Sequence, residues 1–273
     1  MSKVELHFGA ATDIGRVRDH NEDSWMAEPP VFAVADGMGG HQGGEIASAI
    51  VVEEFARLAD EGYDRTLGTE VVTETLEACQ RRIEEYAASR RTHNEVWYAG
   101  TTVVAALLVE DHEADKWLLV NLGDSRIYRV NDGVLDQVSV DHSVVQELME
   151  AGVISEADVA THPERHVITR ALGGPELPEA DFFLLPLSSA ERLVLCSDGV
   201  SGMLQHDEIA EILADAYDPR DAADRIVAAA VAAGGTDNAT AVVIDVVGLS
   251  TNAESYDAAQ QRLSLEEKLG ALP

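Results

Sequence analysis

The most constraining feature of this sequence is an uninterrupted apolar run, residues 31–35, that ends in Asp36 and is followed by Gly37. A run of this kind is typical of a buried strand, and the glycine after the acid predicts a turn. An ionised carboxylate at the end of a buried strand costs several kcal/mol unless a cation or several hydrogen-bond donors compensate for it. We therefore expect Asp36 to have a specific partner.

The same pattern of an apolar run beside an acid recurs along the chain. Residues 193–197 lead into Asp198 and residues 117–123 lead into Asp124, whereas Asp237 stands just before the last apolar run. Taken singly, each acid is typical of a turn or a helix cap. Together they predict that several strand ends bring carboxylates to one edge of the fold.

Length and charge limit what the chain can do. At 273 residues it is long enough for one large core, and we expect a single domain over residues 1–247. Residues 248–273 are expected to be a tail, either a short amphipathic helix or a frayed extension. The formal net charge of −31, from 50 acids against 19 bases, opposes binding to nucleic acid or to anionic membranes.

The sequence also predicts where the protein is found. It has no apolar run long enough to span a bilayer and no N-terminal secretory pattern, so we expect a cytoplasmic protein without a membrane anchor. Cys79 and Cys196 are the two cysteines, and isolated thiols of this kind are typical of reduced core residues. We expect a monomer.

Hydrophobic periodicity predicts an α+β fold. Helical spacing covers residues 45–59, 69–90, 143–151, 206–216 and 219–233. Strand patterns cover residues 4–12, 31–35, 100–109, 167–172, 193–197 and 239–247, and a further strand starts near Trp25. Residues 116–121, 126–130 and 134–138 are predicted to form an antiparallel meander. Helices grouped between runs of antiparallel strands predict sheets that are covered by helices.

The predicted carboxylate cluster favours a hard divalent cation. Oxygen-only ligands are typical of Mg²⁺ or Mn²⁺, whereas zinc sites use the Cys or His clusters that this sequence lacks. Two such ions about 3.5–4 Å apart can share one carboxylate and lower the pKa of a bridging water. We expect Asp36 to be the shared ligand and Gly37 to bring its carbonyl close to one ion.

The same electrostatics predict a phosphate ligand. An acidic cluster that is loaded with divalent ions attracts phosphate, and an arginine beside it can hold the phosphate oxygens through two parallel hydrogen bonds. Arg18, in the polar loop over residues 12–23, is the candidate for this phosphate-binding arginine. Hydrolysis of phosphate monoesters is among the slowest uncatalysed reactions, and a two-metal clamp on the attacking and leaving oxygens suits it.

Six separated motifs resemble, in the same order, those of the metal-dependent serine/threonine protein phosphatases of type 2C, in their bacterial branch. They are RDHNED at 18–23, VADGMGG at 34–40, GTT at 100–102, NLGDSR at 121–126, CSDG at 196–199 and TDN at 236–238. The resemblance implies a four-layer α-β-β-α sandwich with two central antiparallel sheets and a binuclear Mg²⁺ or Mn²⁺ centre. It also implies hydrolysis of phosphoserine and phosphothreonine without a phosphoenzyme.

The resemblance further implies a role for each matching residue. Arg18 is implied to hold the phosphate. Seven residues are implied to bind metal: Asp36 as the bridge, Gly37 through its carbonyl, Asp198 and Asp237 at the other ion, Glu22 and Asp23 through water, and Asp124 at a third, weaker ion. The implied partners are phosphorylated proteins and a cognate Ser/Thr kinase pathway, with a small regulatory protein such as an anti-sigma-factor antagonist as an alternative substrate.

Met38 departs from the animal members, in which a histidine directly after the Asp-Gly pair is usually assigned as the acid for the leaving group. Bacterial relatives commonly share this methionine, so the departure concerns the proton donor and not the activity. His41 is a nearby alternative donor, although a surface histidine is the more usual case. Residues 141–143 and 162–165 resemble the segments around the flap that borders the family's site. His142, His162 and His166 are expected to pack in the flap or to face solvent.

Two other classes of function are alternatives at this point. One is a catalytically silent domain of the same fold that binds a phosphoprotein, but such domains usually lack metal-binding acids, and this chain has them all. The other is a divalent-cation-binding protein, for which the sequence contains no twelve-residue Ca²⁺ loop. The sequence therefore favours an active member of the family that it resembles.

Overall fold

The computed structural model describes residues 4–39, 43–90, 98–112, 114–159 and 161–247. His41 and the predicted tail over 248–273 lie outside these ranges. Within them, no helix has both the length and the apolar character that a membrane crossing requires.

Two antiparallel sheets form the centre of the described structure. The strands of the first sheet are β1 (Glu5–Asp13), β7 (Arg126–Asn131), β8 (Val134–Gln137), β10 (Arg192–Cys196) and β11 (Ala239–Val247), in the order β1-β11-β10-β7-β8. The strands of the second sheet are β2 (Asp23–Glu28), β3 (Val31–Met38), β4 (Gly100–Thr101), β5 (Val103–Asp111), β6 (Ala114–Leu122) and β9 (Asp181–Pro186), in the order β2-β3-β5-β6-β9 with β4 beside β3.

Helices pack on the outer face of each sheet or lie in the connections between strands. They are α1 (Gly43–Glu61), α2 (Gly68–Arg90), α3 (Val144–Glu150), α4 (Glu156–Val159), α5 (Asp198–Ser201), α6 (His206–Asp215) and α7 (Pro219–Ala233). One apolar cluster joins α1 and α2 to the second sheet, and another joins α6 and α7 to the first sheet. A third cluster lies between the two sheets. These layers confirm the predicted four-layer α-β-β-α sandwich.

The strand β3 shows how the sandwich places Asp36. The odd-numbered residues of β3 up to Ala35 pack against the helices, whereas Phe32 and Val34 pack between the sheets. Successive side chains of a strand point to opposite faces. Asp36 therefore follows Phe32 and Val34 and points into the layer between the two sheets.

The two cysteines are buried in different clusters. Cys79 packs between α2 and the second sheet, and Cys196 packs between the first sheet and its helices. Both thiols are free, which confirms the prediction of unpaired core cysteines.

The predicted three-stranded meander was wrong. β6 pairs with β5 on one side and with β9 on the other, so neither edge of β6 is available to β7. The chain instead crosses from the second sheet to the first at Gly123–Ser125, and β7 pairs with β10 and β8. The strand β9, which the sequence did not predict, closes the second sheet. The crossing turn carries Asp124, one of the candidate site residues.

The strand predicted over residues 167–172 was also wrong. Residues 138–180, which we call the flap, connect β8 to β9 and contain α3 and α4. Among the described residues of this region, strand pairing consists of two isolated bridges, Ser143 with Ile168 and Thr101 with Leu172. The apolar residues of the predicted strand thus lie in a loop, and Val167 is exposed.

A buried acid joins α1 to α2. The side chain of Glu54 is only 2% exposed and pairs with Arg57 on its own helix. It also accepts a hydrogen bond of 2.7 Å from Arg82 on α2. Arg82 makes a second ion pair with Glu53, whose side chain is 60% exposed. The two neighbouring acids therefore share one arginine but differ in burial.

This difference gives a test of the helix layer. We expect Glu54→Ala to lower the free energy of unfolding by about 2 kcal/mol, because it removes the hydrogen bonds of a buried carboxylate and leaves space between the helices. The matched variant Glu53→Ala should change it by less than about 0.5 kcal/mol, because exposed ion pairs contribute little. Chemical denaturation measures both values, and equal effects would contradict a role for burial at Glu54.

Candidate functional site

The backbone around Asp36 is held by two threonines of the neighbouring segment. The Asp36 N–H donates to Thr102 Oγ1 at 3.0 Å. The Asp36 carbonyl accepts from Thr101 Oγ1 at 2.9 Å and from the Thr102 N–H at 2.9 Å. On the other side, Asp23 of β2 lies directly opposite Asp36 in the strand register. The end of β3 is therefore fixed from both sides while its carboxylate points inward.

Acids from four other segments surround the Asp36 carboxyl. Its pKa is raised well above the ordinary value by loss of solvation and then by the charges of Asp23, Asp198, Asp124 and Asp237. These acids come from β2, the start of α5, the sheet-crossing turn and the segment before β11. The structure thus brings together the strand-end carboxylates that the sequence predicted to meet.

The neighbouring acids have raised pKa values for the same reason. Loss of solvation is the main cause that raises the pKa of Asp23 to about 7 and that of Asp124 to about 8. Loss of solvation and the charge of Asp237 raise the pKa of Asp198, although a hydrogen-bonding contact with Asp36 opposes the rise. The cluster therefore resists full ionisation near neutral pH unless a cation compensates for its charge.

The donor set fits Mg²⁺ or Mn²⁺. Every candidate ligand is an oxygen, and Asp124 Oδ1 is buried without a hydrogen-bond partner among the described residues. In the same residues, no three His, Cys, Asp or Glu side chains converge closely enough to enclose an ion by themselves. This open arrangement is compatible with Mg²⁺, which usually keeps several waters and needs only one or two carboxylates from the protein.

Asp23 has a second function in the structure that the sequence did not predict. Its Oδ2 accepts hydrogen bonds from Ser197 Oγ and Thr240 Oγ1, both at 2.7 Å. Asp23 belongs to the second sheet, whereas Ser197 follows β10 and Thr240 lies on β11 of the first sheet. These bonds join the two sheets beside the cluster and occupy one of the two carboxylate oxygens.

One asparagine organises the loop between β1 and β2. Asn238 Nδ2 donates to the carbonyls of Ile14 and His20, both at 2.9 Å. Asn238 Oδ1 accepts from the Glu22 N–H at 2.8 Å. Desolvation raises the pKa of Glu22, and the charge of Arg18 opposes that rise. The sequence motif contained Asn238 but did not reveal this role, because its partners are more than 200 positions away.

Arg18 lies at the exposed side of the cluster. Its Nη2 donates to Asp237 Oδ2 at 2.6 Å, and its side chain is 49% exposed. Its hydrogen bond to Asp237 raises the pKa of Arg18, and the charges of Glu22 and Asp198 add to that rise. Arg18, the residue predicted to bind phosphate, is therefore a solvent-accessible cation beside the acids, and it forms an ion pair with Asp237.

Gly37 is required by packing as well as by any role of its carbonyl. A Cβ built on Gly37 would lie 2.2 Å from the Gly44 carbonyl oxygen and 2.6 Å from the Glu22 carbonyl oxygen. The first turn of α1 therefore packs directly on the end of β3, and no larger residue fits between them. This contact keeps the start of α1 beside Asp36 and Glu22.

The flap contributes a histidine to the electrostatics of the cluster. His166 is exposed, and its charge lowers the pKa of Asp198. The sequence predicted a packing or surface role, so this proximity to the acids is an addition. His142, by contrast, is buried at the base of the flap.

A protein-family model matches most of the chain, including most of these motifs. The model described as "Protein phosphatase 2C" matches residues 16–233. The serine/threonine phosphatase stp of Listeria monocytogenes is 35% identical over 248 residues, covering 88% of this chain and 96% of the relative. The serine/threonine protein phosphatase PstP of Mycobacterium tuberculosis is 36% identical over 242 residues, which are 89% of this chain and 45% of that longer protein.

Solved structures agree with the sequence comparisons. The crystal structure of the Mycobacterium tuberculosis phosphatase PstP/Ppp has a TM-score of 0.77 at 35% identity and covers 89% of this chain and 99% of its own. The catalytic domain of PstP in complex with two manganese ions has a TM-score of 0.76 at 34% identity, with coverages of 90% and 100%. The chain belongs to the protein phosphatase 2C family.

Proposed function

We propose that this protein is a metal-dependent phosphatase that hydrolyses phosphoserine and phosphothreonine in proteins. The observation that carries the proposal is the convergence of four carboxylates from both sheets around that of Asp36, with one accessible arginine at the edge. The family membership and the names of the relatives, which are serine/threonine phosphatases, support it.

Two Mn²⁺ or Mg²⁺ ions complete this centre in our proposal, as in the solved PstP catalytic domain with two manganese ions. Asp36 is the proposed bridging ligand, because its carboxyl interacts with the four other aspartates of the cluster. The Gly37 carbonyl is assigned to one ion, and Asp198 and Asp237 to the other. When bound, the ions activate a water as the nucleophile and stabilise charge on the phosphoryl oxygens.

The remaining acids are proposed to act around these ligands. Glu22 and Asp23 orient water molecules on the ions, and for Asp23 only Oδ1 is available, because Oδ2 already accepts two hydroxyl bonds. Asp124 contributes to a third, weaker ion, which would supply a partner for its buried Oδ1. Each of these roles gives a buried oxygen a compensating charge or donor.

Arg18 is proposed to hold the phosphate of the substrate. Its guanidinium can form two parallel hydrogen bonds to phosphate oxygens, and its pairing with Asp237 keeps it beside the ions. The loop that carries Arg18 is fixed by Asn238, so the arginine is held near the acids before substrate binds. The proposed substrates are proteins phosphorylated by a cognate bacterial Ser/Thr kinase, and we propose a cytoplasmic location.

The metal ligands are tested by removing single charges. We expect Asp36→Asn and Asp198→Asn each to lower Mn²⁺-dependent hydrolysis of p-nitrophenyl phosphate and a phosphothreonine peptide by at least about 100-fold. Asp136→Asn is the matched control, because Asp136 lies on β8 and pairs with Arg129. Activity that persists in both site variants or in EDTA would contradict the mechanism. Wild-type protein that binds Mn²⁺ without turnover would instead indicate a silent binding domain.

The role of Arg18 is tested by comparison with its loop neighbour. We expect Arg18→Ala to raise KM for a phosphothreonine peptide by about 10-fold, because a charge-assisted hydrogen bond to phosphate is lost. Calorimetric Mn²⁺ affinity should stay within about 3-fold of wild type. Arg16→Ala, two positions away in the same loop, should leave KM unchanged. An unchanged KM in Arg18→Ala would remove Arg18 from the phosphate site.

The raised pKa values predict how stability depends on pH in the metal-free protein. Asp23 and Asp124 bind their protons more tightly in the folded state than in the unfolded state, where an Asp pKa is about 3.9. Stability should therefore fall as pH rises from about 4 through the folded values of about 7 and about 8. Bound Mn²⁺ should reduce this fall, because it favours the ionised carboxylates.

Thermal melts between pH 5 and pH 8 measure this effect in EDTA and in Mn²⁺. Asp124→Asn should flatten the metal-free profile, whereas Asp136→Asn should leave its slope unchanged, because Asp136 lies outside the cluster and pairs with Arg129. A metal-free profile that rises with pH would show that the cluster is not desolvated in the way described.

A further inference from the structure

The orientation of Asp124 is set by the turn that carries it. Asp124 follows Gly123 where the chain crosses from β6 to β7. Its Oδ1 is buried and has no hydrogen-bond partner among the described residues. That oxygen is therefore not held by a donor, and the backbone of the crossing turn must fix its direction.

A single residue of the flap binds both polar backbone groups of Gly123. The Gly123 N–H donates to His142 Nδ1 at 3.1 Å. The His142 N–H donates to the Gly123 carbonyl at 2.9 Å. Both residues are buried, so neither group of Gly123 has water as an alternative partner. His142 thus holds the residue just before Asp124 through both of its backbone groups, and Asn121 Nδ2 adds a longer bond of 3.4 Å to the same carbonyl.

The imidazole of His142 is itself oriented by β9. Because Nδ1 accepts from Gly123, the proton of the neutral ring is on Nε2. Nε2 lies 3.2 Å from Asp181 Oδ2, which can accept its proton, and 3.3 Å from Arg170 Nη1, which cannot. Asp181 is the first residue of β9, and its Oδ1 lies 3.3 Å from Arg170 Nη1. A chain of contacts therefore runs from Asp181 through His142 to Gly123.

The same histidine closes the base of the flap. The His142 carbonyl accepts from the Thr169 N–H at 2.8 Å. The adjacent residue, Ser143, forms an isolated bridge with Ile168. Two segments of the flap, around residues 142–143 and 168–169, therefore meet at His142, beside the turn that carries Asp124.

We propose that His142 is a positioning residue, which places Asp124 for the third, weaker divalent ion and is held in the required tautomer by Asp181. The proposal rests on the metal role of Asp124 proposed above. Its physical basis is that an unpartnered buried carboxylate oxygen is directed only by its backbone. Partners that orient a metal ligand typically change metal affinity by about 10-fold to 100-fold when they are replaced.

Two substitutions separate the two nitrogens of the ring. In His142→Asn the amide oxygen is two bonds from Cβ, as Nδ1 is, so it can accept from the Gly123 N–H. In His142→Gln the amide nitrogen is three bonds from Cβ, as Nε2 is, so it can donate to Asp181 but leaves the Gly123 N–H without its acceptor. The first variant should retain the position of Asp124, and the second should lose it.

Three measurements on the full chain test this expectation. Calorimetric Mn²⁺ titration should show that His142→Gln weakens the third, weakest site by at least about 10-fold and leaves the two tighter ions unchanged. His142→Asn should stay within about 3-fold of wild type at every site. Hydrogen exchange of the Gly123 amide, measured without metal, should accelerate at least about 10-fold in His142→Gln only. The Mn²⁺ concentration for half-maximal activity should rise in the same variant.

The controls make the outcome decisive. His162→Gln changes another flap histidine, whose Nδ1 accepts from the Glu164 N–H within the flap, and it should alter none of the three measurements. Asp181→Asn, which retains the size of the side chain, should accelerate Gly123 exchange less than His142→Gln does. Asp181→Asn also tests the chain of contacts from Asp181 through His142 to Gly123 if His142→Gln fails to fold.

Asp124→Asn distinguishes failure of this proposal from failure of the proposed function. It should remove the third Mn²⁺ site, and if it leaves Mn²⁺ binding unchanged, the positioning role for a third ion is overturned. Equal effects of His142→Asn and His142→Gln would overturn the role of Nδ1. Loss of activity in Asp36→Asn would still support the two-ion phosphatase in either case.

Discussion

The rest of the site depends on the Asp36 carboxylate being placed among other carboxylates in the layer between two sheets. The free-energy cost of this arrangement follows from desolvation first and from like-charge repulsion second. A divalent cation compensates for both, because it replaces lost hydration and neutralises the repulsion. The affinity for metal and the strain of the metal-free cluster are thus two consequences of the same burial.

The surrounding hydrogen bonds keep this unfavourable cluster in place. Thr101 and Thr102 hold the backbone of Asp36, and Asp23 joins the sheets through Ser197 and Thr240. These bonds use main-chain groups or single carboxylate oxygens and leave other oxygens of the cluster available for ions. At its exposed edge the cluster has a counter-charge in Arg18, which we propose also holds the substrate phosphate.

The flap is connected to this centre at more than one point. His166 affects Asp198 through its charge, and His142 binds the turn that precedes Asp124. Both histidines come from the segment in which the strand prediction was wrong. The reason is that residues 167–172 have the apolar composition of a strand, but in the described structure they pair only through isolated bridges to Ser143 and Thr101. The local hydrophobic pattern of a segment does not show whether a partner strand lies beside it in the fold.

The sequence by itself determined the strand that ends in Asp36, the all-oxygen character of the candidate metal ligands, the helices that cover the sheets and the order of the family motifs. These properties depend on local periodicity and residue type, which can be read along the chain. Tertiary structure alone decided that β6 pairs with β9, that Asn238 fixes the loop of Arg18, and that Asp23 bonds across the sheets. Each depends on partners far apart in the chain, because strand pairing and sheet packing choose neighbours by shape and register and not by proximity in sequence.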